Sequence, residues 1–310
     1  QGTITLHGDP TINAGAIFLN DTTGTVDSQS WSDMLGTGTF ENRGLIKRTA
    51  GSQDTDFHVN FINNNGSFDV QIGTIDLEGG SSHTGTVTVD NGLVRLVGGT
   101  HTLVDGLALN GTGTLEVFSG TTSTAGAIDV NGNLKVSNTG LFELNHALNV
   151  DGTLNVAGGT FSMGASGDWN SGVGTVTWGA GTLTGNILNT RSMSISGGGT
   201  LDNSTLTNQS TITWLGDPTI NAGAVFLNDT TGIVDSQSWN DMLGTGTFEN
   251  RGLIKRTAGS LDTDFHVNFI NNNGSFDVQV GTIDLEGGSS HTGTVKVDNG
   301  LVRLVAGTHT

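Results

Sequence analysis

The chain reads as an all-β protein, a right-handed parallel β-helix (β-solenoid) of about 21 residues per coil with three short strands in each coil. Three observations predict this. Residues 1–102 recur almost verbatim as residues 209–310, and only ten of the 102 paired positions differ. Within that long repeat Gly85, Gly92, Gly99, Gly106, Gly113 and Gly120 fall seven residues apart. Gly44 and Gly66, each preceded by an Asn-x pair, are separated by a longer interval that matches three such sides and a residue of slack. Long-period repetition marks units that stack on their neighbours, in contrast to a compact fold around one centre.

Each seven-residue beat is a candidate strand. Gly85-Thr86-Val87-Thr88-Val89, Gly113-Thr114-Leu115-Glu116-Val117, Gly152-Thr153-Leu154-Asn155-Val156 and Gly174-Thr175-Val176-Thr177-Trp178 alternate apolar and polar residues after a turn-forming glycine. That alternation gives a short strand one wet face and one buried face. Helical heptads are excluded, because the beat carries β-favouring residues and a glycine where paired apolar positions should lie. Glycine and asparagine suit corners that need left-handed backbone. At about 4.8 Å per coil the chain predicts on the order of 15 coils and a rod about 70 Å long. Residues 1–208 then form one unit of a continuous solenoid and 209–310 the first half of the next. The opening without Met and the end part-way through a second copy read as a window on a larger array.

The ten differences predict which positions face inward. Ile17/Val225 and Ile72/Val280 exchange β-branched apolar residues, as packed slots demand. Thr88/Lys296 is expected outside, and Gln53/Leu261 and His7/Leu215 in loops or on exposed faces. Two stretches interrupt the beat. Asp27 to Leu35, repeated as Asp235 to Leu243, is expected to protrude as a loop or a single helical turn, and Gly167 to Gly172 as another loop. Asn63-Asn64-Asn65 and Asn271-Asn272-Asn273 are expected to form hydrogen-bonded stacks between coils.

Composition removes several function classes. The net charge is −18, so a nucleic acid is not an expected partner, since binding one relies on Lys and Arg displacing counterions. No cysteine occurs, which excludes disulfides, thiolate metal sites and thiol nucleophiles. No run of apolar residues is long enough for a membrane-spanning helix.

The segment Phe40-Glu41-Asn42-Arg43-Gly44-Leu45-Ile46-Lys47, continued by Gly51, Phe57, Phe61, Asn64, Gly66, Val70, Gly73-Thr74 and Leu77, resembles repeats of giant bacterial surface proteins of the adhesin-like and autotransporter-like β-helix type. The second copy carries the same likeness at Asn250, Gly252, Lys255, Gly259, Phe269, Asn272, Gly274, Val278, Gly281 and Leu285. The resemblance implies export to the bacterial cell surface, a right-handed β-helix and a scaffolding or adhesive role, and it implies no catalytic residue.

Candidate sites are few. Asp54 and Asp56, with Asp262 and Asp264, put two carboxylates on one face of an extended strand, where oxygen ligands could chelate calcium, the only cofactor considered. A solvated acidic corner is the alternative. Asp54, Asp56, Asp69 and Asp76 could supply the carboxylate pair of a glycan-cleaving enzyme. However, the pair would be duplicated, no tyrosine is present, and the tryptophans are scattered. Asp27, His58 and Ser30 share no nucleophile-elbow motif, and His83, His101 and His146 read as corner or surface residues. The expected function is therefore structural and non-catalytic: an extracellular stiff rod or filament, self-associating end to end and in lateral bundles. The alternative is an adhesin stalk that binds surface or matrix glycans through loops at Trp31 and Asp33, and at Trp239 and Asp241.

Overall fold

The computed structural model describes residues 2–51, 53–259, 261–292, 296–297 and 300–310. All regular structure among them is β-strand, and all the strand pairs are parallel. The chain divides into two compact units, Gln1–Asn155 with Ser166–Gly174, and Val156–Ala165 with Thr175–Thr310. The two near-identical stretches therefore fall in different units.

Each unit is a parallel β-solenoid. In the first, Gly2–Leu6, Gly24–Ser28, Leu45–Arg48, Ser67–Val70, Thr86–Val89, Leu107–Asn110, Ile128–Val130, Ala147–Val150 and Asp168–Ser171 pair in sequence to make one sheet. Strands from Ile17–Asn20 onward and from Thr55–Phe57 onward build the other two faces. In the second unit Thr182–Asn189 is long enough to serve two faces, pairing Thr200–Leu201 through its first half and Thr205–Asn208 through its second. Among the described residues, strands thus pair with their equivalents in the next coil until a sheet ends, as one does at Asp168–Ser171. The coil is elastic at its corners, since the turn that brings Val176 to Met193 is markedly shorter than the one that brings Thr11 to Leu35.

Alternation along each short strand sends every second side chain into the interior, where in-register residues stack coil on coil. Val26, Ile46, Phe68 and Val89 form one such column. Phe18, Phe40 and Phe61 form another, with ring centroids 5.0 and 5.4 Å apart, and Phe57 meets Phe40 and Phe61 edge-on. Aromatic pairs in these geometries add about 0.5–1.5 kcal/mol beyond their burial.

Asparagine columns occupy the corners. Asn20 donates to Asn42 and Asn42 to Asn63, each at 2.8 Å. In the second unit Asn189, Asn208, Asn228, Asn250 and Asn271 form a continuous chain with links of 2.9 to 3.0 Å. All of them are buried, and the side-chain amides within the column both give and receive along it. The Asn-x-Gly signature follows from this. A Cβ on Gly66 would collide with Asn42 Nδ2, and one on Gly274 with Asn250 Nδ2, so the chain can pass the column only without a side chain. In the Asn triplets the first member joins the column, whereas Asn65 and Asn273 take the left-handed conformation at φ 60° and 61°.

Several expectations are corrected. Ile17, Ile72 and Val280 are not packed but exposed: Phe18 holds the inward position beside Ile17, and Ile72 and Val280 lie in the turns after Ser67–Val70 and Ser275–Val278. His83 and His101 are not at the surface. They lie in the interior, where Ser81 Oγ bonds both His83 Nε2 at 2.8 Å and His101 Nδ1 at 2.6 Å. Burial pushes the His83 imidazole down to about 3, with His101 beside it adding to the shift. The segment Gly167–Gly172 is not a loop: Asp168–Ser171 is a strand that buries Trp169. Asp27 and Ser28 continue a strand, and no helical turn forms between them and Leu35. Leu261 and Leu215 are exposed and Thr88 sits on the outer face between buried Val87 and Val89, as expected. Val295 lies outside the described residues.

Replacing Asn250 with Ala strands a donor on Asn228 and an acceptor on Asn271. The second unit should lose about 2–4 kcal/mol of stability, read as a lower urea midpoint by circular dichroism. Asn131→Ala, at a solvent-exposed pair, should change stability by less than about 0.5 kcal/mol.

Candidate functional site

The loop between Gly24–Ser28 and Leu35–Gly36 places Trp31 on the surface with 64 % of its area exposed; Trp239, its counterpart, is 65 % exposed. Trp169, Trp178 and Trp214 are buried. Beside Trp31 opens a cleft of about 460 Å³ lined by Asp33, Gln53, Asp54 and Asp56. The strand Thr55–Phe57 forms its floor, held beneath the loop by a bridge from Met34 to Phe57. The Asp33 backbone N–H donates to Asp9 Oδ1 at 3.0 Å, and Asp33 Oδ1 accepts the Asp56 N–H at 3.3 Å.

The two carboxylates that the sequence paired line the same cleft but have different partners. Asp54 Oδ2 accepts Arg95 Nη2 at 2.7 Å, and Arg95 also binds Asp76. Asp56 joins Asp33 and His58 in one three-donor group, and Asp76 and Glu78 in another, with donor atoms within 4.8 Å of one another in each. His58 Nδ1 lies 2.8 Å from Glu78 Oε2. The second copy repeats the arrangement: Asp262 pairs with Arg303 at 2.6 Å, while Asp264 joins Asp241 and His266, and Asp284 and Glu286. Asp33 lies in a loop as expected and belongs with Asp56, whereas Asp241, also expected in a loop, is in the strand Asn240–Gly244 and pairs in register with Asp264. Sequence reasoning grouped Asp76 with Asp54 and Asp56 but missed Glu78 and Arg95 as neighbours. The signal was present, since Asp56 and Asp76 stand one coil apart and in register.

Stacked carboxylates shift one another. Burial pushes the Asp56 carboxyl up to about 6, helped by Asp76, Glu78 and Asp33 and opposed by His58. Asp264 is pushed up to about 6 by burial, with Asp241, Glu286 and Asp284 adding to it. Asp56 Oδ1 and Asp264 Oδ1 are solvent-inaccessible and accept no hydrogen bond. Such a group favours a proton or a cation. Two carboxylates and an imidazole form a mixed oxygen and nitrogen donor set, whereas calcium prefers oxygen alone.

The remaining candidates have other partners. Asp27 binds Gln29 and Thr49, Ser30 Oγ meets Ser32 Oγ at 2.8 Å, and His58 faces Glu78, so these three do not assemble as a triad. No known protein family, curated protein or solved structure matches the chain. No helix among the described residues is long and apolar enough to cross a membrane.

The pH dependence follows from the shifted aspartates. Their folded pKa of about 6 exceeds the ordinary 3.8, so the folded state holds the extra protons between these values. Their contribution to stability is present below pH 3.8 and is lost as pH rises through about 6. Asp56→Asn with Asp264→Asn should therefore raise stability at pH 7 by about 1 kcal/mol per site after allowance for solvent screening. The gain should vanish below about pH 4. Urea titrations of variant and parent at each pH cancel the opposite trend from the buried histidines.

Proposed function

We propose that this chain is part of a structural, non-catalytic extracellular repeat protein that forms a stiff rod or filament at a bacterial cell surface. The observation that carries the reading is the coil-on-coil stacking within each unit, where one coil supplies the backbone partners and the core column for the next, with an asparagine link from Asn189 to Asn271 in the second unit. A stack of that kind grows by adding coils with little change in energy per coil. Strand edges that meet further coils give end-to-end association. The acidic surface favours solubility and, in this reading, calcium or another divalent cation bridges rods laterally. The sequence likeness to surface repeat proteins supports the location.

A second reading, an adhesin stalk that binds surface or matrix glycans through projecting loops, is supported by the exposure of Trp31 and Trp239.

Electron microscopy of the native protein tests the structural role: fibres of uniform width are expected, and round particles would refute it. Chelator added to bundled fibres should separate them without shortening them. Bundles that persist would remove the cation from the proposal.

A further inference from the structure

We propose that the cleft beside Trp31 binds a saccharide carrying a protonated amine, an amino sugar rather than a neutral one, and that the matching side chains around Trp239 do the same. This rests on the glycan-binding reading and names the ligand's chemistry. A volume of about 460 Å³ lies in the range of small-molecule sites. One wall is an exposed indole, a face on which a sugar ring stacks and toward which a cation is drawn by the ring quadrupole. The other walls are Asp33, Asp54 and Asp56, with Gln53 able to donate and to accept.

The charge balance inside the cleft selects the amine. Arg95 compensates Asp54 and Asp76, and His58 is engaged with Glu78. Asp33 and Asp56 have no Lys or Arg partner among the described ion pairs, and Asp56 keeps an oxygen that accepts no hydrogen bond. An ammonium group presents three donors and one positive charge to these carboxylates. A neutral hydroxyl offers one donor and leaves the charge uncompensated. In the second copy Trp239, Asp241 and Asp264 are retained while Leu261 replaces Gln53, so the same aromatic and acidic side chains recur without the amide.

The test is calorimetric titration of the full 310-residue chain with glucosamine oligomers, with their N-acetylated counterparts and with calcium alone. Glucosamine oligomers should bind at least tenfold more tightly than the acetylated ones. Trp31→Ala with Trp239→Ala should weaken that binding at least tenfold, and Asp33→Asn with Asp241→Asn comparably, with circular dichroism unchanged. Trp31→Phe with Trp239→Phe should stay within about threefold, because a smaller aromatic face remains. Equal binding of the acetylated oligomers would overturn the amine preference and leave glycan binding standing. Binding of neither oligomer would overturn both. Binding indifferent to the tryptophans would assign the attraction to overall charge, and calcium binding in place of the oligomer would assign the cleft to a metal; either result defeats the proposal.

Discussion

Everything in this molecule depends on the parallel backbone ladder between coils. A short strand cannot satisfy its own N–H and C=O groups, and a neighbour one coil away must do so. Arg48 and Leu45 thus pair with Val70 and Ser67 on one side and with Ser28 and Thr25 on the other. Once that register is set, residues on the same phase of the alternation must stack in columns. Phenylalanine meets phenylalanine and asparagine meets asparagine because the ladder leaves them no other neighbour. Corners absorb the variation in coil length, which is why the irregularities collect there and the strands remain uniform.

The same ladder explains the electrostatics. On the outer face Asp76, Arg95, Glu116 and Lys135 are consecutive in register, and their alternating signs pair Arg95 with Asp76, and Lys135 with Glu116 at 2.7 Å. Opposite charges placed directly across neighbouring strands are favourable, and like charges are not. The column breaks this alternation where Asp56 lies beside Asp76, and again where Asp241, Asp264 and Asp284 stand in successive strands. A soluble loop would relieve such repulsion by moving apart. A side chain on a laddered strand cannot, so the repulsion adds to the larger effect of burial in raising the Asp56 and Asp264 carboxyls to about 6.

Alternation and glycine spacing made the strands, their parallel stacking and the coil length legible in the sequence. Gly-Thr-apolar-polar-apolar is a local pattern, and Thr114–Val117 and Thr153–Val156 form where it occurs. Trp31 and Trp239 were also legible, because a glycine-free polar stretch had nowhere to bury an indole. The interior histidines were not, since residue type suggested the surface and only the phase of Ser81–Thr84 places His83 inside. Ile17 misled in the opposite direction. A β-branched exchange fits a packed slot and an outer strand position equally well, and phase relative to Phe18 decides between them. The acidic group combined both difficulties, because its members come from successive coils while Asp54 and Asp56 are near neighbours in sequence but serve different partners.

The two copies show how such a thin core accommodates change. Leu6 is replaced by Trp214, which is buried, meets Phe265 edge-on at 5.2 Å and donates its Nε1–H to the Gly216 carbonyl at 2.6 Å. Ser32 is replaced by Asn240, whose Nδ2 donates to the Trp214 carbonyl at 2.9 Å and whose Oδ1 accepts from Ser236 Oγ at 2.9 Å. Through these changes the phenylalanine cluster keeps its spacing, with Phe40–Phe57, Phe40–Phe61 and Phe57–Phe61 5.1, 5.4 and 5.2 Å apart against 5.1, 5.5 and 5.0 Å for Phe248–Phe265, Phe248–Phe269 and Phe265–Phe269, while Phe226 tilts 54° to Phe248 where Phe18 lies at 10° to Phe40. In a globular core, added volume forces shifts in many neighbours. Here a larger side chain reaches only a short way along the stack: Trp214 aligns with Ser236 in the next coil and meets Phe265 in the one after it. The polar replacement at Asn240 bonds to the backbone of the very residue that grew, so the adjustment stays within that part of the stack.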